Sequence, residues 1–237
     1  MLSRTLPVAF ALVLGALTPA DAANTYTYSN YTVVDPTDAN VGVYYNNNLI
    51  GAGGAGQVVL AGAGGNTGST QLTWCIDLID ELEPYGNATG PFTVTTGSPV
   101  GYEPPVVAGE TVLAALTAQQ ISEMGGLMIY GDANISATNV SPAAQIAIWS
   151  IEYGSHYQFA AYIGNTADTA VDSLAVTLVT DAKNGTIPGY SAWETLSLTD
   201  SQELGAVPEP ASIALLGAGL TGLYGIRRRR VRADVRG

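Results

Sequence analysis

The chain has 237 residues and a formal net charge of −12, from 20 acidic and 8 basic residues. Residues 23–206 carry 17 acidic residues and a single basic one, Lys183, so their formal charge is −16. Such a surface repels nucleic acid and anionic membranes, because binding to either needs a patch of Lys and Arg. A stretch of about 180 residues is long enough for one domain with its own core.

The first 22 residues have the three parts of a secretory signal peptide. Arg4 supplies a positive charge, residues 6–17 are apolar, and Ala20 and Ala22 are the small residues that precede a cleavage site. The apolar run is shorter than the roughly 20 residues that span a bilayer. We therefore predict a cleaved signal peptide at residues 1–22, with an uncleaved anchor as the alternative.

Segments rich in Tyr, Thr and Val follow, and their alternation predicts β-strands. The predicted strands are residues 26–34, 41–50, 72–82, 92–96 and 193–198. A turn is predicted within the second of these strands, at Asn46, Asn47 and Asn48. Residues 51–68, rich in Gly and Ala, predict a flexible loop. Their G-x-G-x-x-G match lacks the following helix of a dinucleotide site, so we discount nucleotide binding.

Three helices are predicted among these strands. The first begins with a capping box formed by Thr117 and Gln120. The second has Ser141 as its N-cap and ends at Gly154, and the third covers residues 171–182. The predicted class is therefore α+β, a strand-rich exported domain at residues 23–206 with inserted helices.

The carboxyl-terminal segment, residues 207–237, has three ordered features. A Pro-Glu-Pro motif is followed by an apolar run at residues 211–226 and a basic end at residues 227–236. The residues that define the motif and the arginine block are Pro208, Glu209, Pro210, Arg227, Arg228, Arg229 and Arg230. The arginine block stays cytoplasmic by the positive-inside rule, so we expect transient or permanent membrane insertion as a transmembrane segment.

This ending resembles the PEP-CTERM sorting signal of Gram-negative bacteria in all three parts. The resemblance implies processing by an exosortase-like membrane protease, in hosts that often make exopolysaccharide. It also implies a protein that is exported, is associated with the inner membrane during sorting, and then lies at the cell surface or outside the cell. An ordinary tail anchor is the alternative, and whether the tail is cut or retained stays open.

Cys75 is the only cysteine, so it has no intramolecular disulfide partner. Residues 74–77 (Trp-Cys-Ile-Asp) and residues 144–149 (Ala-Gln-Ile-Ala-Ile-Trp) together resemble the Cys–Gln thioester domains of bacterial surface proteins. The resemblance implies a bond between the sulfur of Cys75 and the side-chain acyl group of Gln145. It implies that Trp74, Asp77 and Trp149 surround this bond.

An internal thioester would react once with a surface amine or hydroxyl and leave the protein attached through Gln145. The protein would therefore be an adhesive and not an enzyme, with no catalytic residue, cofactor or metal. The alternative is a non-covalent structural protein of an exopolysaccharide or biofilm matrix, in which Cys75 is a small buried residue and Gln145 is simply hydrogen-bonded. A polysaccharide hydrolase has the least support, since no pair of carboxylates is evident.

Two other features leave alternatives open. His156, the only histidine, is either a surface residue or a group that activates Cys75 or the acceptor. The acidic residues that follow Cys75 form either a solvated strand edge or a calcium site. These residues are Asp77, Asp80, Glu81 and Glu83.

Overall fold

The structure is a computed structural model that describes residues 25–34, 40–62, 70–78, 92–164, 166–198 and 203–208. The strands in these ranges are β1 Thr25–Val34, β2 Asn40–Tyr45, β3 Asn48–Gly54, β4 Gln57–Gly62, β5 Thr70–Cys75, β6 Phe92–Gly97, β7 Gln158–Ile163, β8 Thr166–Ala167, β9 Glu194–Leu198 and β10 Leu204–Ala206. The helices are α1 Ala118–Asn134, α2 Val140–Glu152 and α3 Thr169–Lys183. Strands and helices alternate irregularly along the chain, which confirms the predicted α+β class.

Six strands form a closed antiparallel barrel in the order β1-β4-β5-β10-β9-β6. β1 closes the barrel because its first residues pair with β6 and its later ones with β4, with a register shift between Tyr28 and Asn30. A shift of this kind bends a strand and lets it serve two neighbours. β5 lies between β4 and β10, and Cys75 is its last residue.

The other four strands form an antiparallel sheet in the order β3-β2-β7-β8. The helix α2 contacts β4 of the barrel, β7 of this sheet, and both other helices. Every residue of α2 except Ser150 is buried. A helix that is buried on nearly all sides lies in the interior, so α2 is the central element against which the sheets and helices pack.

Glycines in α1 mark places where other segments approach the helix closely. A side chain at Gly131 would overlap the indole of Trp74, and one at Gly125 would overlap the backbone at Tyr190. Glycine in a helix interior costs about 1 kcal/mol relative to alanine. Here that cost is offset because β5 and the segment before β9 pack directly on the helix.

Most predicted elements are confirmed. α1 begins with the capping box of Thr117 and Gln120, and α2 is followed by Gly154, which has a φ of +60°. α3 covers the predicted residues 171–182. The Asn turn is confirmed with narrower bounds, since only Asn46 and Asn47 have positive φ, as a two-residue hairpin turn requires.

Three local predictions were wrong. Residues 51–62 are not a loop: they complete β3 and form β4, whose Val58 and Leu60 are fully buried. Ser141 is not an N-cap, because α2 begins at Val140 with Asn139 as its cap, and the Ser141 hydroxyl instead accepts a hydrogen bond from the backbone N–H of Gln57 at 3.0 Å. The strand predicted over 72–82 ends at Cys75 in its described part.

The sequence did not indicate β7, β8 or β10, which are short or lie next to helices. Among the residues that the structure describes, no helix is long and apolar enough to cross a membrane. The predicted signal peptide and the apolar run at residues 211–226 lie outside the described residues.

Candidate functional site

Cys75 and Gln145 lie side by side in the protein interior, although 70 residues separate them in sequence. The backbone N–H of Cys75 donates a hydrogen bond to the Gln145 side-chain oxygen, Oε1, at 3.0 Å. The Gln145 nitrogen, Nε2, donates to the Cys75 carbonyl oxygen at 2.7 Å. Gln145 is fully buried and Cys75 is buried. The structure therefore brings together the two residues that the sequence singled out.

The strand register explains why the side chain of Gln145 can bond to the backbone of Cys75 at the edge of β5. β4 pairs with β5 only from Thr70 to Thr73, so the edge of β5 at Cys75 lies beyond the paired residues of β4. The amide of Gln145 has a donor and an acceptor in the arrangement of a peptide group, and it takes the place of a strand neighbour. On the other side of β5, Leu204 of β10 is the partner of Cys75.

The environment of Cys75 strongly disfavours ionisation of its thiol. Burial raises its pKa far above the ordinary value of 9.0, and the negative charges of Asp77 and Glu152 raise it further. At neutral pH the side chain is therefore a neutral thiol, which is a weak nucleophile unless a neighbouring group accepts its proton.

Two tyrosines line the segment that follows Cys75. The hydroxyl of Tyr102 donates to the carbonyl oxygen of Ile76 at 2.8 Å, and the backbone N–H of Leu78 donates to the hydroxyl of Tyr153 at 3.3 Å. Burial, followed by the charge of Glu152, raises the pKa of both tyrosines far above 10.0. Both hydroxyls are therefore neutral, and they fix the backbone next to the thiol.

Glu152, the last residue of α2, was not identified from the sequence. It is 3 % exposed, and neither carboxyl oxygen has a hydrogen-bond partner among the described residues. Burial raises its pKa well above 4.5, and the charges of Asp77 and Glu203 act in the same direction. The sequence carries no signal that could have found it, because its burial follows from segments that are distant in the chain.

The three residues predicted to surround the thioester have different environments. The indole of Trp74 packs against Gly131, and its N–H donates to Asp132 at 3.0 Å. The ring of Trp149 stacks on Phe159 with centroids 5.9 Å apart. Asp77 is buried and its charge acts on Cys75. That these residues shield a thioester stays a prediction.

His156 is paired with a residue that the sequence did not single out. Its Nε2 lies 2.8 Å from Oε2 of Glu110, and the hydroxyl of Tyr157 donates to the same oxygen at 2.9 Å. The His156 side chain is 17 % exposed, so it is a half-buried residue held by a carboxylate. Both alternatives for His156, a surface residue and a group that activates Cys75 or the acceptor, stay predictions.

Metal ligands and sorting residues lie mostly outside the part of the chain that is described. Of the four acidic residues considered for calcium, only Asp77 is described, and no group of three or more His, Cys, Asp or Glu side chains in the described ranges could hold a metal ion. Pro208 is the last described residue. The sorting residues outside the described ranges are Glu209, Pro210, Arg227, Arg228, Arg229 and Arg230.

Comparison with known proteins gives one match. Residues 206–230 match the PEP-CTERM protein-sorting motif, and this match begins at the last residue of β10. No curated protein and no solved structure matches the chain. Proteins with this motif are substrates of exosortase, a membrane protease. The motif therefore indicates an exported protein that is processed at the membrane and sorted to the cell surface or the extracellular space.

Proposed function

We propose that this exported protein attaches covalently to amines or hydroxyls at a surface or in an extracellular matrix, through an internal thioester between Cys75 and Gln145. The observation that supports the proposal is the hydrogen bond from the Cys75 N–H to the Gln145 side-chain oxygen at 3.0 Å. It places the carbonyl that would be attacked against the backbone of the residue that carries the attacking sulfur.

The same hydrogen bond has a chemical use. When a thiol adds to an amide, negative charge develops on the amide oxygen, and a donor already aimed at that oxygen stabilises the transition state. The Cys75 N–H is such a donor. The second hydrogen bond, from Nε2 to the Cys75 carbonyl, limits rotation of the amide before it reacts.

Burial supports the later steps. The sulfur would form a bond to the Gln145 side-chain carbon, the carbon–nitrogen bond would break, and ammonia would leave. A thioester hydrolyses in contact with water, so an interior position would preserve it until an acceptor arrives. Internal amines would compete with the acceptor, and Lys183 on α3 is the one lysine of the chain.

Intact mass spectrometry of the purified full-length protein tests this proposal. We expect a mass lower by one ammonia than the sequence predicts, and a gain of one methylamine after incubation with that amine. Cys75→Ala is the control, because it keeps Gln145 but removes the sulfur. A fresh wild-type protein with its full mass and no reaction with methylamine would exclude the thioester.

A second candidate is a non-covalent structural component of an exopolysaccharide or biofilm matrix. Two observations favour it: the Gln145 amide is already satisfied by the Cys75 backbone, and the thiol is held in its neutral form. In that case Gln145 acts only as a substitute for a strand neighbour of β5. The same mass measurement separates the two candidates, since only the first predicts the loss of ammonia.

A further inference from the structure

β3 is the outer strand of the four-stranded sheet, and its outer edge is open within the described part of the chain. The strand order is β3-β2-β7-β8, so β3 pairs with β2 on one side only among these strands. Six of its seven residues are exposed, and the other, Gly53, is half-buried. The outer edge of such a strand presents backbone N–H and C=O groups to which another strand can bind.

β3 lacks the features by which proteins commonly protect an open edge, which are short length, charges and proline. The opposite edge of the same sheet is protected by length, because β8 has only two residues. β3 is longer, and residues 40–62 contain no charged residue and no proline. Its register with β2 shifts once, between Val43 and Tyr44, and is regular from Gly51 to Gly54. Of the two outer strands of this sheet, β3 is therefore the one suited to pairing.

Two exposed apolar side chains of β3 lie next to glycines that the fold of the single chain does not require. Leu49 is 58 % exposed and Ile50 is 40 % exposed. A side chain added at Gly51 or Gly53 would meet no atom within 4 Å, and neither residue has a positive φ. Glycine weakens a strand interior and often marks a place where another backbone approaches closely. The open space above these glycines is therefore available to a second chain.

Charge restricts where two copies of this chain can touch. Residues 23–206 have a formal charge of −16, so two copies repel each other over most of their surfaces. Residues 39–76 are the longest stretch of this domain without a charged residue. β3 lies within that stretch and is exposed along its length, so a contact between copies at β3 brings no like charges together.

We propose that β3 pairs antiparallel with β3 of a second copy of this chain, so that the two four-stranded sheets become one. A contact between copies related by a two-fold axis is self-complementary. With the axis at Gly51, Leu49 of each copy lies opposite Gly53 of the other. Ile50 then lies opposite Ala52 in the same way. Residues directly opposite each other in an antiparallel pair are in contact on one face of the sheet, so each exposed apolar side chain covers a small residue.

The pairing of β3 is independent of the chemistry proposed for Cys75 and Gln145. Together with that chemistry, it would place two Cys75–Gln145 pairs in one particle. Such a particle could bind two acceptors and therefore cross-link the surface or matrix to which it attaches. Without that chemistry, the dimer remains.

Sedimentation velocity of the full-length protein over a range of concentrations tests the inference. We expect a dimer that dissociates on dilution. Gly51→Glu places two carboxylates directly opposite each other at the axis, and like charges in that position oppose pairing. We expect its dissociation constant to be about 10-fold higher or more. Val176→Glu is the matched control, because it adds the same charge at a position of α3 that is 68 % exposed, and its dimer should be unchanged.

A charge swap makes this test specific to β3. Gly51→Lys alone should also fail to pair, whereas an equimolar mixture of Gly51→Lys and Gly51→Glu should form dimers, because opposite charges then face each other. A wild type that stays monomeric at every concentration would overturn the inference, as would a mixture that does not pair. A Gly51→Glu protein that dimerises as well as wild type would also overturn it, since the contact would then lie elsewhere, such as in the carboxyl-terminal segment.

Hydrogen exchange gives a second test that needs no variant. The backbone amides of residues 48–54 should exchange more slowly as the concentration of wild-type protein rises, whereas those of β8 should not change. Exchange in residues 48–54 that is the same in dilute and concentrated protein would contradict the pairing.

The stability of the single chain shows whether the variants fold. Below the dissociation constant the copies are separate, so urea denaturation of dilute protein reports on one chain alone. Gly51→Glu should then unfold like wild type, because its side chain has open space, and so should variants at other exposed positions of β3 such as Leu49.

Discussion

Two buried polar clusters occupy consecutive positions of β5 and are built differently. In the Trp74 cluster, the indole N–H of Trp74 and the side-chain amide of Gln57 both donate to Asp132. In the Cys75 cluster, Gln145 is paired with the backbone of Cys75, whereas Glu152 has no partner among the described residues. Stability alone accounts for the first cluster. The second keeps an unpaired carboxyl at a cost in stability, which is typical of a functional site.

The largest expected effect is on the Trp74 cluster. Trp74→Ala removes a fully buried indole that packs on Gly131 and leaves Asp132 with one donor fewer. We expect a loss of about 3–5 kcal/mol in the free energy of unfolding, measured by urea denaturation. Leu49→Ala is the control, since Leu49 is 58 % exposed on β3 and should change stability little. A loss below about 1 kcal/mol would contradict the packing described for β5 on α1.

The next largest effect concerns the two hydrogen bonds between Gln145 and the backbone of Cys75. In a Cys75→Ala background, where no thioester can form, Gln145→Ala removes the two buried hydrogen bonds to the backbone N–H and C=O of residue 75. Loss of a partner of a buried polar group costs about 1–3 kcal/mol, so we expect a loss of about 2–4 kcal/mol by urea denaturation. Equal stability of the parent and Gln145→Ala would show that Gln145 does not replace a strand neighbour.

The buried carboxyl of Glu152 should make the free energy of unfolding depend on pH, whereas the side-chain amide of Gln145 does not ionise. Its folded-state pKa is raised above the ordinary 4.5, so its contribution to stability is fully present below that pH and is lost as pH rises toward the folded pKa. In the Cys75→Ala background, we expect unfolding free energy to fall above pH 4.5 by up to about 1.4 kcal/mol per pH unit. Glu152→Gln should reduce this slope, as seen by urea denaturation across the pH range. An unchanged slope would mean that Glu152 ionises normally.

The sequence predicted the residues with a chemical pattern and missed those defined only by their surroundings. Cys75 and Gln145 stood out because a lone cysteine and a Gln-containing helical segment have a recognisable pattern. Glu152 looks like any helical glutamate, and only the packing around the end of α2 shows that it is buried and unpaired. In the same way, the capping box of Thr117 was readable because it is local in sequence, whereas residues 51–62 were misjudged because their pairing with distant strands overrides the flexibility of glycine.

The smallest expected effect compares two neighbouring contacts at the end of α2, the paired side chain of Gln120 and the unpaired carboxyl of Glu152. Gln120 accepts a hydrogen bond from the Thr117 N–H and donates to the carbonyl oxygen of Ile151 at 2.9 Å, one residue before Glu152. Gln120→Ala removes this paired contact, and we expect a loss of about 1 kcal/mol in urea denaturation. The pH dependence of the unfolding free energy should stay at the wild-type value, because a paired contact near Glu152 supports only the fold. If Gln120→Ala flattened the pH dependence as much as Glu152→Gln, the effect of Glu152 would reflect the general integrity of the last turn of α2 and not its unpaired carboxyl.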